Sequence, residues 1–228
     1  MKKIFALAFF GATLVGGANA QILEYDALST GATIAGVHMA ANSSTSNEWG
    51  DQVVLSGPSH TIMQYNCLIQ FNNGVNDTSN FVVNDTVTFR SLTGTGATAT
   101  VNTGTPIYQA TFSLGGATGL AGGAYNVGFG IPNVVVPTEF LVSNQFTRVS
   151  GNTGIVGEHF NNSPAAIGTG DPTYFWINNG TSWGQANFGT TPSGNMRMSL
   201  TATPEPASMA VLGIGALALI RRRRSNKA

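Results

Sequence analysis

Nine carboxylates lie between residues 21 and 203, and glycan hydrolysis is the first chemistry they invite, because it needs two of them flanking one bond. No pair sits in a context that marks it. Glu158-His159 sets a carboxylate beside an imidazole, the residue types of acid–base catalysis. Adjacent residues of a strand point to opposite faces, however. Two acidic loop clusters stand out, Glu48 with Asp51, and Asn76-Asp77 with Asp85. Carboxylate and amide oxygens are what a structural calcium needs, although neither cluster has EF-hand spacing. No other cofactor is expected. His38, His60 and His159 are scattered, and the single cysteine, Cys67, excludes an intrachain disulfide and a cysteine-rich zinc site. Cys67 lies in the strand-like run Met63–Ile69 without a nearby cation or base, the setting of a small buried side chain rather than a nucleophile. The glycines of 115–123 are too irregular for a phosphate loop.

Aromatic residues offer a different chemistry. In Tyr174-Phe175-Trp176-Ile177 the strand period places Tyr174 and Trp176 on one face. With Trp183 they form a candidate carbohydrate-binding surface, on which sugar rings stack while Asn178, Asn179, Gln185 and Asn187 supply hydrogen bonds. Packing is the competing role for all three tryptophans, Trp49 included.

The elements that must position these residues read as strands. Short β-rich runs near 33–40, 51–56, 61–71, 81–92, 107–114, 124–131, 133–142, 145–149, 174–178, 184–188 and 195–202 are separated by Gly, Asn, Asp, Ser and Pro. Val87, Phe89 and Ser91 alternate with Thr86, Thr88 and Arg90, and Met196, Met198 and Leu200 with Arg197, Ser199 and Thr201. Residues 93–105, rich in Thr and Gly, read as a long surface loop. The spacing predicts an all-β fold, a single antiparallel β-sandwich of jelly-roll type spanning 21–203.

Charge is segregated along the chain. Lys2, Lys3, Arg221, Arg222, Arg223, Arg224 and Lys227 account for seven of the ten basic residues. Arg90, Arg148 and Arg197 remain against nine carboxylates, so the body carries −6 and no lysine. Such a surface has no phosphate-binding footprint, and nucleic acid is not an expected partner.

The ends read as address labels. Residues 1–20 have the layout of a secretory signal peptide: Lys2 and Lys3, an apolar helix-forming run from Ile4 to Val15, and a small-residue cleavage site at Ala18-Asn19-Ala20. Cleavage between Ala20 and Gln21 is expected, by way of the secretion machinery. Residues 204–228 open with Pro204-Glu205-Pro206, where two prolines fix φ and lack an N–H. Ala207–Ile220 follows without a charge; as a helix it spans about 21 Å, short of a hydrocarbon core of about 30 Å. Arg221, Arg222, Arg223 and Arg224 close it, and such a cluster stays cytoplasmic with everything before the helix outside.

Pro204-Glu205-Pro206-Ala207-Ser208, a short Leu/Gly/Ala-rich helix and an arginine cluster resemble the PEP-CTERM sorting signal. The resemblance covers about 25 residues. It implies a short transmembrane helix that anchors the protein in the inner membrane, and cleavage near the Pro-Glu-Pro motif by an exosortase-type membrane enzyme. It also implies transfer to the envelope surface or the extracellular matrix of a bacterium that makes exopolysaccharide. The phrases Gly50-Asp51-Gln52-Val53-Val54-Leu55 and Trp176–Trp183 are similar in layout to uncharacterised β-sandwich bodies joined to such tails. Three functions follow as expectations: a non-enzymatic structural or adhesive body, a carbohydrate-binding module with exopolysaccharide as its partner, and a secreted glycan hydrolase.

Overall fold

Alternation of apolar and polar side chains drives most of the body into strands that bury one face. The computed structural model describes residues 21–28, 33–35, 43–72, 82–115, 121–150, 154–161, 163–171, 173–186 and 195–204. The fold is all-β: apart from one 3₁₀ turn at Gly96–Thr98, every element among these residues is a strand. The strands are β1 (Ile22–Asp26), β2 (Thr33–Ala35), β3 (Glu48–Val54), β4 (Thr61–Asn72), β5 (Val82–Thr93), β6 (Thr100–Val101) and β7 (Tyr108–Leu114). After them come β8 (Gly123–Val135), β9 (Glu139–Ser150), β10 (Ile155–Asn161), β11 (Phe175–Asn178), β12 (Trp183–Ala186), β13 (Asn195–Met196) and β14 (Met198–Ala202).

All pairings are antiparallel, in two sheets. In the first, β4 pairs with β8 along one edge, while β14 and then β10 share the other; β1 lies outside β14, β13 beside β10, and β2 beside β10. The second runs β12-β11-β3-β9-β5, with β6 and β7 both on β5.

The inner faces of both sheets contribute to one core. Tyr65 of β4 meets Phe89 of β5 edge-on at 6.5 Å, Phe112 of β7 lies 4.4 Å from Phe129 of β8, and Phe160 of β10 lies 5.2 Å from Phe175 of β11. Phe71, Phe140, Phe146, Met198 and Leu200 complete it, all of them buried. Each fully buried side chain of this size contributes roughly 1.5–3 kcal/mol.

Three expectations need correction. β1 and β10 lie in stretches that composition leaves unassigned, because Glu24, Asp26, Glu158 and His159 interrupt their apolar pattern. The runs 133–142 and 145–149 divide elsewhere: β8 continues to Val135 and β9 is unbroken from Glu139 to Ser150. Pro132 and the left-handed Asn133 (φ 53°) fit within β8 because a bulge opposite Ile62–Gln64 absorbs the extra residues. The 93–105 segment, read as a surface loop, instead folds back through the 3₁₀ turn and β6 onto the second sheet. The signal helix and the short C-terminal helix fall on residues 1–20 and 205–228, outside the described residues. Among the described residues no helix is long and apolar enough to cross a membrane.

Candidate functional site

The outer face of the second sheet carries the aromatic candidates. Trp176 of β11 sits opposite Gly50 of β3, which in turn sits opposite Ser143 of β9. A Cβ at residue 50 would come within 2.9 Å of the Ser143 Cβ, so the strands tolerate only glycine here. Tyr174 and Trp176 share this face as the strand period requires, edge to face at 6.0 Å. They are covered, however. Ala99 and Val101 of the folded-back segment, with Leu92 of β5, pack on them and on Leu141, leaving Tyr174 7% and Trp176 4% exposed.

Trp183 remains half-buried at the edge of this cluster. The Arg90 guanidinium lies 6.0 Å from its ring centroid, within the range of a cation–π contact. Arg90 is oriented by Glu48 at 3.7 Å and donates to the Gly104 carbonyl at 3.3 Å. Glu48 also accepts from Ser143 Oγ (2.7 Å) and Asn178 Nδ2 (3.2 Å). Arg90, Asn178, Trp183 and the turn Gly180–Ser182 line an open pocket of about 180 Å³.

A larger groove of about 400 Å³ opens on another part of the surface, lined by Gln52, Val54, Thr95, Gly96, Glu139 and Asp171 among others. Its side chains are linked: Tyr174 Oη donates to Gln52 Oε1 at 3.1 Å, and Gln52 Nε2 donates to Glu139. Burial, with the carboxylates of Asp171, Asp51 and Glu139, pushes the Tyr174 phenol up to about 12. It therefore remains a donor at neutral pH. The Asp171 carboxylate caps its own turn by accepting the Thr173 N–H at 2.8 Å.

The acidic candidates are dispersed. Glu48 points to the outer face of β3, whereas Asp51 points inward, its Oδ2 accepting the Met196 N–H at 2.8 Å. Glu48 and Asp51, three positions apart along a strand of period two, therefore face opposite sides of β3. Asp85 is buried in the interior and Asp77 lies outside the described residues. Among the described residues, no group of three or more His, Cys, Asp and Glu side chains is arranged to hold a metal ion. Glu158 faces the interior, and the neighbouring His159 feels Arg197 instead.

Sequence reasoning did not single out Gln52, Glu139 and Asp171, which no motif connects; only the register of β3 with β9 brings Gln52 beside the Glu139 strand. Of the terminal candidates, Gln21 immediately precedes β1 and Pro204 closely follows β14, while Ala20, Glu205, Pro206, Arg221, Arg222, Arg223 and Arg224 lie outside the described residues.

The comparison with protein families decides how the C-terminus is to be read: residues 202–224 match the PEP-CTERM protein-sorting motif. The chain carries a PEP-CTERM sorting tail. Such a tail marks an exported protein, anchored in a membrane until an exosortase-type membrane enzyme processes it. The matched PEP-CTERM stretch begins at Ala202, the last residue of β14, so body and tail adjoin without a linker. No curated protein and no solved structure matches the chain.

Proposed function

We propose that the body is a non-enzymatic, structural or adhesive module, a jelly-roll-like β-sandwich delivered to the envelope surface or the extracellular matrix and released there by tail cleavage. The observation that carries this reading is the junction between body and tail. Thr203 N–H donates to the Thr61 carbonyl at 3.0 Å, and Ser59 Oγ donates to the Thr203 carbonyl. The fold is thus tied off one residue before Pro204, and a cut near Pro204–Pro206 would spare every strand. The intact mass of the exported product tests it: a chain ending near Pro206 supports release, and a chain retained in the membrane with its tail entire refutes it.

A second reading, exopolysaccharide binding, is favoured by the half-buried Trp183 ring beside Arg90 and Asn178, and by the polar groove at Gln52, Glu139 and Asp171. A groove of this size, with convergent hydrogen-bonding groups, suits a short glycan segment. Trp176 contributes packing in this reading, not a stacking platform. Binding of host exopolysaccharide fragments should weaken at least about tenfold in Trp183→Ala or Asp171→Asn, a loss of about 1.4 kcal/mol. Unchanged binding in both variants would remove the reading. Shortened glycan products in the same incubation would contradict the non-enzymatic assignment.

A further inference from the structure

Five strands drawn from both sheets send ionisable or amide side chains into one interior layer. Asp51 comes from β3, Tyr65 and Cys67 from β4, Asp85 from β5, Asn144 from β9 and Glu158 from β10, and none is more than 1% exposed. Asn144 Nδ2 donates to Tyr65 Oη at 2.8 Å and to the Glu158 carboxylate, bridging the two sheets. Among the described residues, neither oxygen of Asp85 has a hydrogen-bond partner. No lysine exists between residues 21 and 203, and each of the three arginines has contacts outside this layer. Arg90 pairs with Glu48 on the outer face, Arg148 donates to the Ser43 and Gly154 carbonyls, and Arg197 donates to the Leu28 carbonyl. An ionised carboxylate buried without a partner, as Asp85 would be, is among the costliest groups a core can hold, and neutralisation is the usual escape.

We propose that Asp85, Glu158 and Asp51 form a buried proton-binding layer, each keeping its proton while the two sheets are packed and giving it up when they part. Burial pushes the Asp85 and Glu158 carboxyls well above their usual range, and Asp85 and Asp51 raise Glu158 further, because these groups would repel one another if ionised together. Burial pushes Asp51 up to about 8, against the N–H groups of Met196 and Gln52, which pull it down; Asp171 adds to the rise. Unfolded, these carboxyls ionise near 3.8 and 4.5. Between those values and the folded ones the folded state binds more protons, so stability falls as pH rises, by about tenfold in the folding constant per pH unit for each proton. The layer makes the body acid-locked and alkali-labile.

The neighbouring groups leave neutral pH clear. Tyr65, Cys67 and, beside Asp51, Tyr25 of β1 are also pushed up by burial, but their usual values of 10.0, 9.0 and 10.0 keep them protonated in both states near pH 7. His159 is lowered from 6.5 by burial and Arg197, so its unfolding takes up a proton in more acidic medium, with the opposite sign.

The test is proton release on unfolding of the exported protein by urea at pH 7, followed in a pH-stat. About three protons per molecule are expected, one from each carboxyl, and one fewer in Asp85→Asn, whose amide mimics the neutral acid. Between pH 7 and 8 the folding constant of the unaltered protein should fall at least about 100-fold. No net release, or a folding constant flat over that range, would overturn the proposal. If Asp85→Asn does not fold, the unaltered protein's proton count and pH slope decide the matter alone.

Discussion

At the scale of the residue, two tryptophans seven positions apart have opposite fates. Trp176 is sealed beneath Ala99, Leu92 and Val101, whereas Trp183 lies half-buried at a pocket rim under Arg90. Removing the first opens a cavity in a packed layer; removing the second strips one wall of an open pocket. Trp176→Ala should therefore cost about 3–5 kcal/mol of stability, and Trp183→Ala less than about 1 kcal/mol. Urea midpoints at constant m-value would check both, and a near-neutral Trp176→Ala would mean that the 92–101 segment does not cover the sheet. The sequence shows that Tyr174 and Trp176 share a face, but not which face is covered. That depends on residues 93–105, whose Thr and Gly content reads as a surface loop and whose Ala99 and Val101 do the covering together with Leu92 of β5. Asp85 illustrates the reverse. Its phase with Val83, Val87 and Phe89 put it inward from the start, and an acidic loop reading of Asn76–Asp85 hid this.

At the scale of the element, β14 matters most. It lies between β1 and β4, with Met198 opposite Cys67 and Leu200 opposite both Tyr65 and Tyr25. Met196, Met198 and Leu200 point into the core, as their alternation indicates, with Arg197 separating the consecutive strands β13 and β14. Strands β4, β5 and β7 were legible because period-two burial is strong there. β1 and β10 were not, because each carries a carboxylate at a buried position, and no propensity rule places Glu24 or Glu158 inside. Loss of the tail and loss of β14 should consequently differ sharply. Protein ending near Pro206 should melt within about 0.5 kcal/mol of the full chain, while a chain ending at Arg197 should not fold. Thermal melts followed by circular dichroism would show it, and a large destabilisation on tail removal alone would contradict the junction described at Thr203.

At the scale of the whole molecule, chemistry and address are divided along the chain. Seven of ten basic residues lie in the ends, and the body is acidic, lysine-free and all-β. The PEP-CTERM match begins at Ala202, where the last strand ends, so a cut near Pro204–Pro206 would leave every described strand in place. The most direct measurement is the intact mass of the protein recovered outside the cell. The account expects a chain that starts at Gln21 and ends near Pro204–Pro206, without Arg221–Arg224. A chain that still runs to Ala228, held in the membrane with no shorter form outside, would contradict it.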